Sequence, residues 1–111
     1  MNNRKQINQN TQEHRRAGGL WLRDQRLRSK LSQRELAEKV GAEYYTFISQ
    51  LENGRGRIPP DRYKDWAKAL NVSSDVFVFN LMRFYDPTTF CILFGEEGER
   101  TDKIERFEVI S

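Results

Sequence analysis

Cysteine, histidine and proline are scarce in this 111-residue chain, with one, one and three copies. A single cysteine closes no internal disulfide, so folding has to rest on packed apolar side chains. Cys91 and His14 stand far apart in sequence, which gives neither metal-ligand spacing nor a thiol paired with a base. Cys91, within Phe90-Cys91-Ile92-Leu93-Phe94, is expected to be a buried, inert thiol, and His14 a solitary polar residue. A glycine-rich phosphate loop is also missing, so neither an enzyme nor a cofactor or metal site is expected. No apolar run approaches the roughly 18 to 20 residues that span a bilayer, and residues 1–19 lack the apolar segment of a signal peptide. A cytoplasmic protein without membrane association is the expectation.

What is present is an ordinary globular composition, 37% hydrophobic, 32% charged and 12% aromatic, at a length that suits one modest core. The net charge of +3 is small, but it is unevenly distributed. Residues 1–70 carry 15 Lys or Arg against 8 Asp or Glu, whereas residues 71–111 carry 4 against 8. A polyanion-binding face with a separate remainder has this charge pattern, and so does solvated surface charge segregated by chance.

Three segments follow from composition and periodicity. Residues 1–18, rich in Asn and Gln, are read as a flexible basic arm; its Arg4, Lys5, Arg15 and Arg16 either follow DNA phosphates or belong to a plain disordered end. Residues 19–86 read as five helices. Leu20, Trp21, Leu22, Leu27 and Leu31 mark the first, about 19–29. Ser32-Gln33-Arg34-Glu35 is a capping box that opens the second, which carries Leu36, Ala37 and Val40 and ends at Gly41. Tyr45, Phe47, Ile48 and Leu51 place a third at about 44–52, closed by Asn53-Gly54. The basic loop Arg55-Gly56-Arg57 leads to Pro60, which suits the first turn of a fourth helix bearing Tyr63, Trp66, Ala67 and Leu70. Ser73 or Ser74 caps a fifth that stops at Asp86-Pro87. Residues 87–111 form a C-terminal extension in which Phe90 to Phe94 reads equally as a short strand or a helical extension. The acidic segment from 95 reads as a loose end or as an amphipathic helix docked on a partner.

Leu22-Arg23-x-x-Arg26-x-x-x-x-Leu31-Ser32-Gln33-x-Glu35-Leu36-Ala37, Ile48-Ser49-Gln50-Leu51-Glu52-Asn53-Gly54 and Trp66-Ala67-Lys68-Ala69-Leu70-Asn71-Val72 resemble the phage-repressor-like, or XRE, helix-turn-helix family. The resemblance spans about residues 20–80 and implies an all-α, five-helix lambda-repressor-like domain that binds double-stranded DNA. The residues agree with this independently. Ala37 is small where two helices cross, Gly41 permits the turn, and Ile48 with Leu51 would hold the third helix from behind, leaving its other side for the major groove. The chain departs from the family by one residue: 12 residues separate Gly41 from Gly54 where the family usually has 11. Anchored on Ile48 to Gly54, the alignment puts Tyr44 at the capping position and Tyr45, Thr46 and Gln50 at base-facing positions; an insertion placed later shifts these by one.

Tyr44, Tyr45, Thr46 and Gln50 are therefore the expected base contacts, with Gln50 suited to paired hydrogen bonds and Thr46 to a thymine methyl or a polar edge. The alternative reading has one of the two tyrosines join the core beside Phe47. Phosphate contacts are expected from Arg23, Gln33, Ser49, Asn53, Arg55 and Arg57. The resemblance makes Arg26 and Glu52 an internal salt bridge. The aromatic series Trp66, Phe77, Phe79, Phe84, Tyr85, Phe90 and Phe94 exceeds what five short helices need, which suggests a second subunit. A homodimer repressor on a palindromic operator is the leading expectation, and an antitoxin-like module holding a partner protein through its acidic tail is the alternative.

Overall fold

The computed structural model describes residues 3–95 of the chain. Six α-helices and one 3-10 turn make up the described part: α1 (Asn3–Arg28), α2 (Gln33–Val40), α3 (Thr46–Glu52), the 3-10 turn (Pro60–Arg62), α4 (Tyr63–Ala69), α5 (Ser74–Tyr85) and α6 (Pro87–Phe94). The fold is all-α, as the periodicity indicates, and among the described residues there is no strand.

α1 differs most from expectation. Periodicity starts a helix at about 19 after a flexible arm, whereas the helix runs back through Gly18 and Gly19 to Asn3. Each glycine costs a helix interior about 1 kcal/mol against alanine, and packing supplies the reason for both. A Cβ on Gly19 would lie 2.4 Å from the Glu52 carbonyl oxygen, and one on Gly18 would lie 2.9 Å from Phe84 Cβ. The pair is the crossing point at which α1 passes the end of α3 and the end of α5, not a helix boundary. This crossing also sets the face that α1 buries. Leu22 and Arg26 point inward, while Leu20 and Leu27, expected on the apolar stripe, are 57% and 54% exposed.

α2 begins with the capping box: the Ser32 hydroxyl accepts from the Glu35 amide and the Glu35 carboxylate accepts from the Ser32 amide, both at 3.0 Å. It ends at Gly41, whose φ of 71° is the left-handed conformation glycine adopts without strain. Leu22, Leu36, Ala37, Ile48, Leu51 and Ile58 meet Trp66, Leu70, Phe77 and Leu81 in one core beneath α1 to α5. Asp86, in non-helical backbone before Pro87, breaks the chain out of α5 and caps α6 by accepting from the Thr89 amide.

The segment Phe90 to Phe94, left open between strand and helix, is helical. Its four-residue spacing turns Phe90 and Phe94 onto Phe79, where the three rings form a second cluster with centroids 4.9–5.2 Å apart. The opposite face carries Cys91 and Ile92. The expectation of a buried Cys91 is thereby corrected: the thiol is exposed, because only every third or fourth residue of this one short helix can face inward. α6 also accounts for the aromatic surplus. Trp66, Phe77, Phe79, Phe90 and Phe94 are buried, Phe84 lies 6.3 Å from Trp21, and the Tyr85 hydroxyl accepts from the Ile58 amide at 3.1 Å. These rings find their partners within the chain, so their number is no argument for a second subunit. The acidic tail beyond Gly95, with its suggested partner, lies outside the described residues. Among the described residues no helix is long and apolar enough to cross a membrane.

Candidate nucleic-acid interface

α3 has only seven residues, too short to be stable alone, so its direction is fixed by what holds it. Ile48 and Leu51 anchor its inner side in the core. At its C-terminal end the Glu52 carboxylate accepts from Arg26 Nε at 2.7 Å and from Nη2 at 3.0 Å, a two-pronged pair across α1 and α3. The third arm of the fork, Nη1, donates to the Leu31 carbonyl at 2.9 Å. Gln33 adds a hydrogen bond from its amide nitrogen to Glu52 Oε1 at 3.2 Å, tying in the start of α2. The Arg26–Glu52 bridge implied by the resemblance is present, with side chains 9% and 6% exposed. Losing either partner would leave a buried charge uncompensated.

Past α3 the backbone reverses tightly. Gly54 takes a φ of 80°, and a Cβ there would come within 2.8 Å of Arg16 Cα and N, so α1 lies directly on this turn. The Arg55 amide donates back to the Gln50 carbonyl at 2.8 Å, and Arg15 Nη1 reaches the Gly56 carbonyl at 3.5 Å.

With the inner side of α3 occupied, its outer side is open. Thr46 and Gln50, one turn apart, are both exposed. Tyr44 is 66% exposed and Tyr45 43%, so neither joins the core, and Phe47 alone of that group packs against it. The helix starts one residue later than the alignment places it. Tyr45, not Tyr44, occupies the capping position, in helical backbone and without a side-chain cap, and Tyr44 lies in the turn before it.

Four of the six expected phosphate-contacting residues line two polar clefts. Arg23, Gln33 and Asn53 line one polar cleft of about 280 Å³ at the junction of α1, α2 and α3. Asn53 and Arg55 line a second, of about 580 Å³, together with Gln12 and Arg16 of α1. Ser49 is half-buried on the flank of α3. Gln33 has one amide hydrogen committed to Glu52, which leaves the other. Arg57 is exposed but stands with its guanidinium 4.8 Å above the Tyr85 ring. Burial of Tyr85 pushes its phenol above the ordinary tyrosine range, so Arg57 faces a neutral ring.

One contributor, Arg34, escapes the sequence pattern, and a second, Arg16, is expected there only on a flexible arm. Arg34 places its guanidinium 4.6 Å over the Tyr45 ring and so brings a cation from α2 to the start of α3. Its position in the first turn of α2 was the one available signal. Arg16 joins Arg55 because α1 is helical that far back, a fact local composition hides. Among the described residues no group of three His, Cys, Asp or Glu could hold a metal ion.

A family model described as helix-turn-helix matches residues 22–77, from the buried leucine of α1 to the first buried phenylalanine of α5. No curated protein and no solved structure gives a significant match to the chain.

Proposed function

The chain belongs to the XRE-type helix-turn-helix family and is a DNA-binding transcription regulator, and from that premise we propose that it acts as a sequence-specific, dimeric repressor on a palindromic operator in the cytoplasm. In this reading it has no catalytic role. α3 enters the major groove, about 12 Å wide, with Thr46 and Gln50 toward base edges and Tyr44 and Tyr45 at the groove entrance. Arg23, Gln33, Ser49, Asn53, Arg55 and Arg57 grip the flanking phosphates, and Arg16 and Arg34 add to them. Two copies place paired recognition helices about 34 Å apart, which supplies the contact area that a single short helix lacks.

The observation that carries this reading is the pairing of Thr46 with Gln50 on the exposed side of a helix whose other side is locked by Ile48, Leu51 and the Arg26–Glu52 bridge. A contact residue can read sequence only if the helix that bears it cannot roll.

Selection of bound sites from random duplex DNA tests it, with Gln50→Ala and Arg55→Ala compared with the parent. Gln50→Ala should relax preference at one base pair by ~1–3 kcal/mol, and Arg55→Ala should weaken all sequences alike and flatten the salt dependence by about one counterion. Equal loss of discrimination from both variants, or recovery of no common site, overturns the assignment. A non-palindromic consensus bound by one copy overturns the dimer alone.

A further inference from the structure

We propose that the cleft between α1, α5 and α6 binds a small organic acid with one carboxylate and an apolar body, and that this ligand adjusts DNA binding through α1. The cleft holds about 560 Å³, within the roughly 300–1,000 Å³ of small-molecule sites. Ala17, Phe84 and Phe90 give it apolar walls from three helices, and Arg83 supplies a cation.

Arg83 is partly buried, and its guanidinium lies 5.1 Å from the Phe90 ring centroid and 5.8 Å from that of Phe79. Its Nε is buried without a hydrogen-bond acceptor, and no carboxylate among the described residues pairs with it. Nε itself is sealed from the cleft, which leaves the two outer nitrogens for a ligand, and a carboxylate is the group that accepts from them in two prongs. Glu13, exposed, and His14 line the same cleft, and the Glu13 carboxylate disfavours a second negative charge on the ligand.

The same turns of α1 connect the cleft to the DNA face. Glu13 and Ala17 line the cleft, whereas Arg15 and Arg16 between them lie against Gly56 and Gly54 in the loop that carries Arg55. A ligand wedged under this part of α1 therefore shifts that loop. The binding claim stands without reference to DNA; the coupling claim rests on the DNA-binding reading above.

Cys91 borders the cleft, is exposed and is the chain's single thiol, so its rate of alkylation by a neutral reagent reports occupancy with no DNA present. Octanoate, benzoate and 1-naphthoate are the probes, with 1-octanol and 1-naphthalenemethanol as uncharged controls, on the full chain. At least one acid should slow alkylation about fivefold at saturation while its alcohol does not. Arg83→Gln should weaken that acid about tenfold or more, as loss of a charged, two-pronged contact does. Should Arg83→Gln fail to fold, Ala17→Met, which fills the cleft from its exposed rim, should abolish protection instead. Absence of protection by all three acids, equal protection by the alcohols, or undiminished affinity in a folded Arg83→Gln chain overturns the site. Protection by an acid only after removal of residues 96–111 assigns the cleft to the chain's own acidic tail and overturns it equally. The protecting acid should shift affinity for a selected operator about threefold or more. Protection of Cys91 with unchanged operator affinity overturns the coupling, and a chain that binds no DNA leaves the thiol result to decide the site.

Discussion

Two joints in this molecule are built on opposite principles. Where α1 meets α3, the contact is directional: Gly19 leaves no room between backbones, and Arg26, Glu52 and Gln33 close a buried polar network at 2.7–3.2 Å. Where α5 meets α6, three phenylalanine rings share one cluster, and the Arg83 guanidinium of α5 rests 5.1 Å from the Phe90 ring. Ring contacts reward burial over a range of angles, whereas a guanidinium fork on a carboxylate tolerates few. The directional joint lies directly behind Thr46 and Gln50, the non-directional one away from them. In the proposed reading, precision is placed where sequence has to be read, and bulk apolar area away from it.

The largest expected effect comes from breaking the directional joint. Arg26→Ala strands the Glu52 charge and should destabilise the fold by about 3–5 kcal/mol in urea unfolding. Where the variant is still folded, operator discrimination should fall with it, because α3 has lost its tether. Phe90→Ala should cost somewhat less, about 3 kcal/mol, since the end of the chain can partly collapse around the deleted ring. Base preference of the folded Phe90→Ala chain, measured by the same site selection, should be that of the parent. A changed preference there would erase the distinction between the joints.

The smallest effect sharpens the directional side. Ser32→Ala removes the cap of α2 and should cost about 1 kcal/mol by thermal unfolding. In the parent, hydrogen bonds from the Ser32 backbone amide and then its side chain hold the Glu35 carboxyl below the ordinary value of 4.5. The folded state thus favours the ionised form. That contribution is complete above the unfolded value and fades as pH falls through the lower folded value. The parent should therefore lose stability on acidification below about pH 4.5 faster than Glu35→Gln does, and equal acid limbs would show that the cap makes no ionic contribution.

Much of this architecture is legible locally, and the failures share one cause. The capping box at Ser32, the left-handed Gly41, the Ile48 and Leu51 pair and the Pro60 turn each depend on neighbours within one or two turns, and all stand where spacing places them. Gly18 and Gly19 look like punctuation because their partners, Phe84 and Glu52, are more than thirty residues away in sequence. Cys91 looks buried because its flanks are apolar, but which face of α6 turns inward is decided by Phe79. At the candidate site, exposure of Thr46 and Gln50 follows from helical phase. The companionship of Arg34 with Tyr45 and of Arg16 with Arg55 depends on tertiary placement that no local pattern carries.

The unbroken run of α1 has a mechanical side. A 26-residue helix is about 39 Å long, and 15 of its residues, roughly 22 Å, lie upstream of the glycine crossing. Pivoted there, α1 is a lever whose short arm is clamped by Leu22 and Arg26. A tilt of about 5° at the pivot would carry its far end through roughly 2 Å while the core beneath stays still.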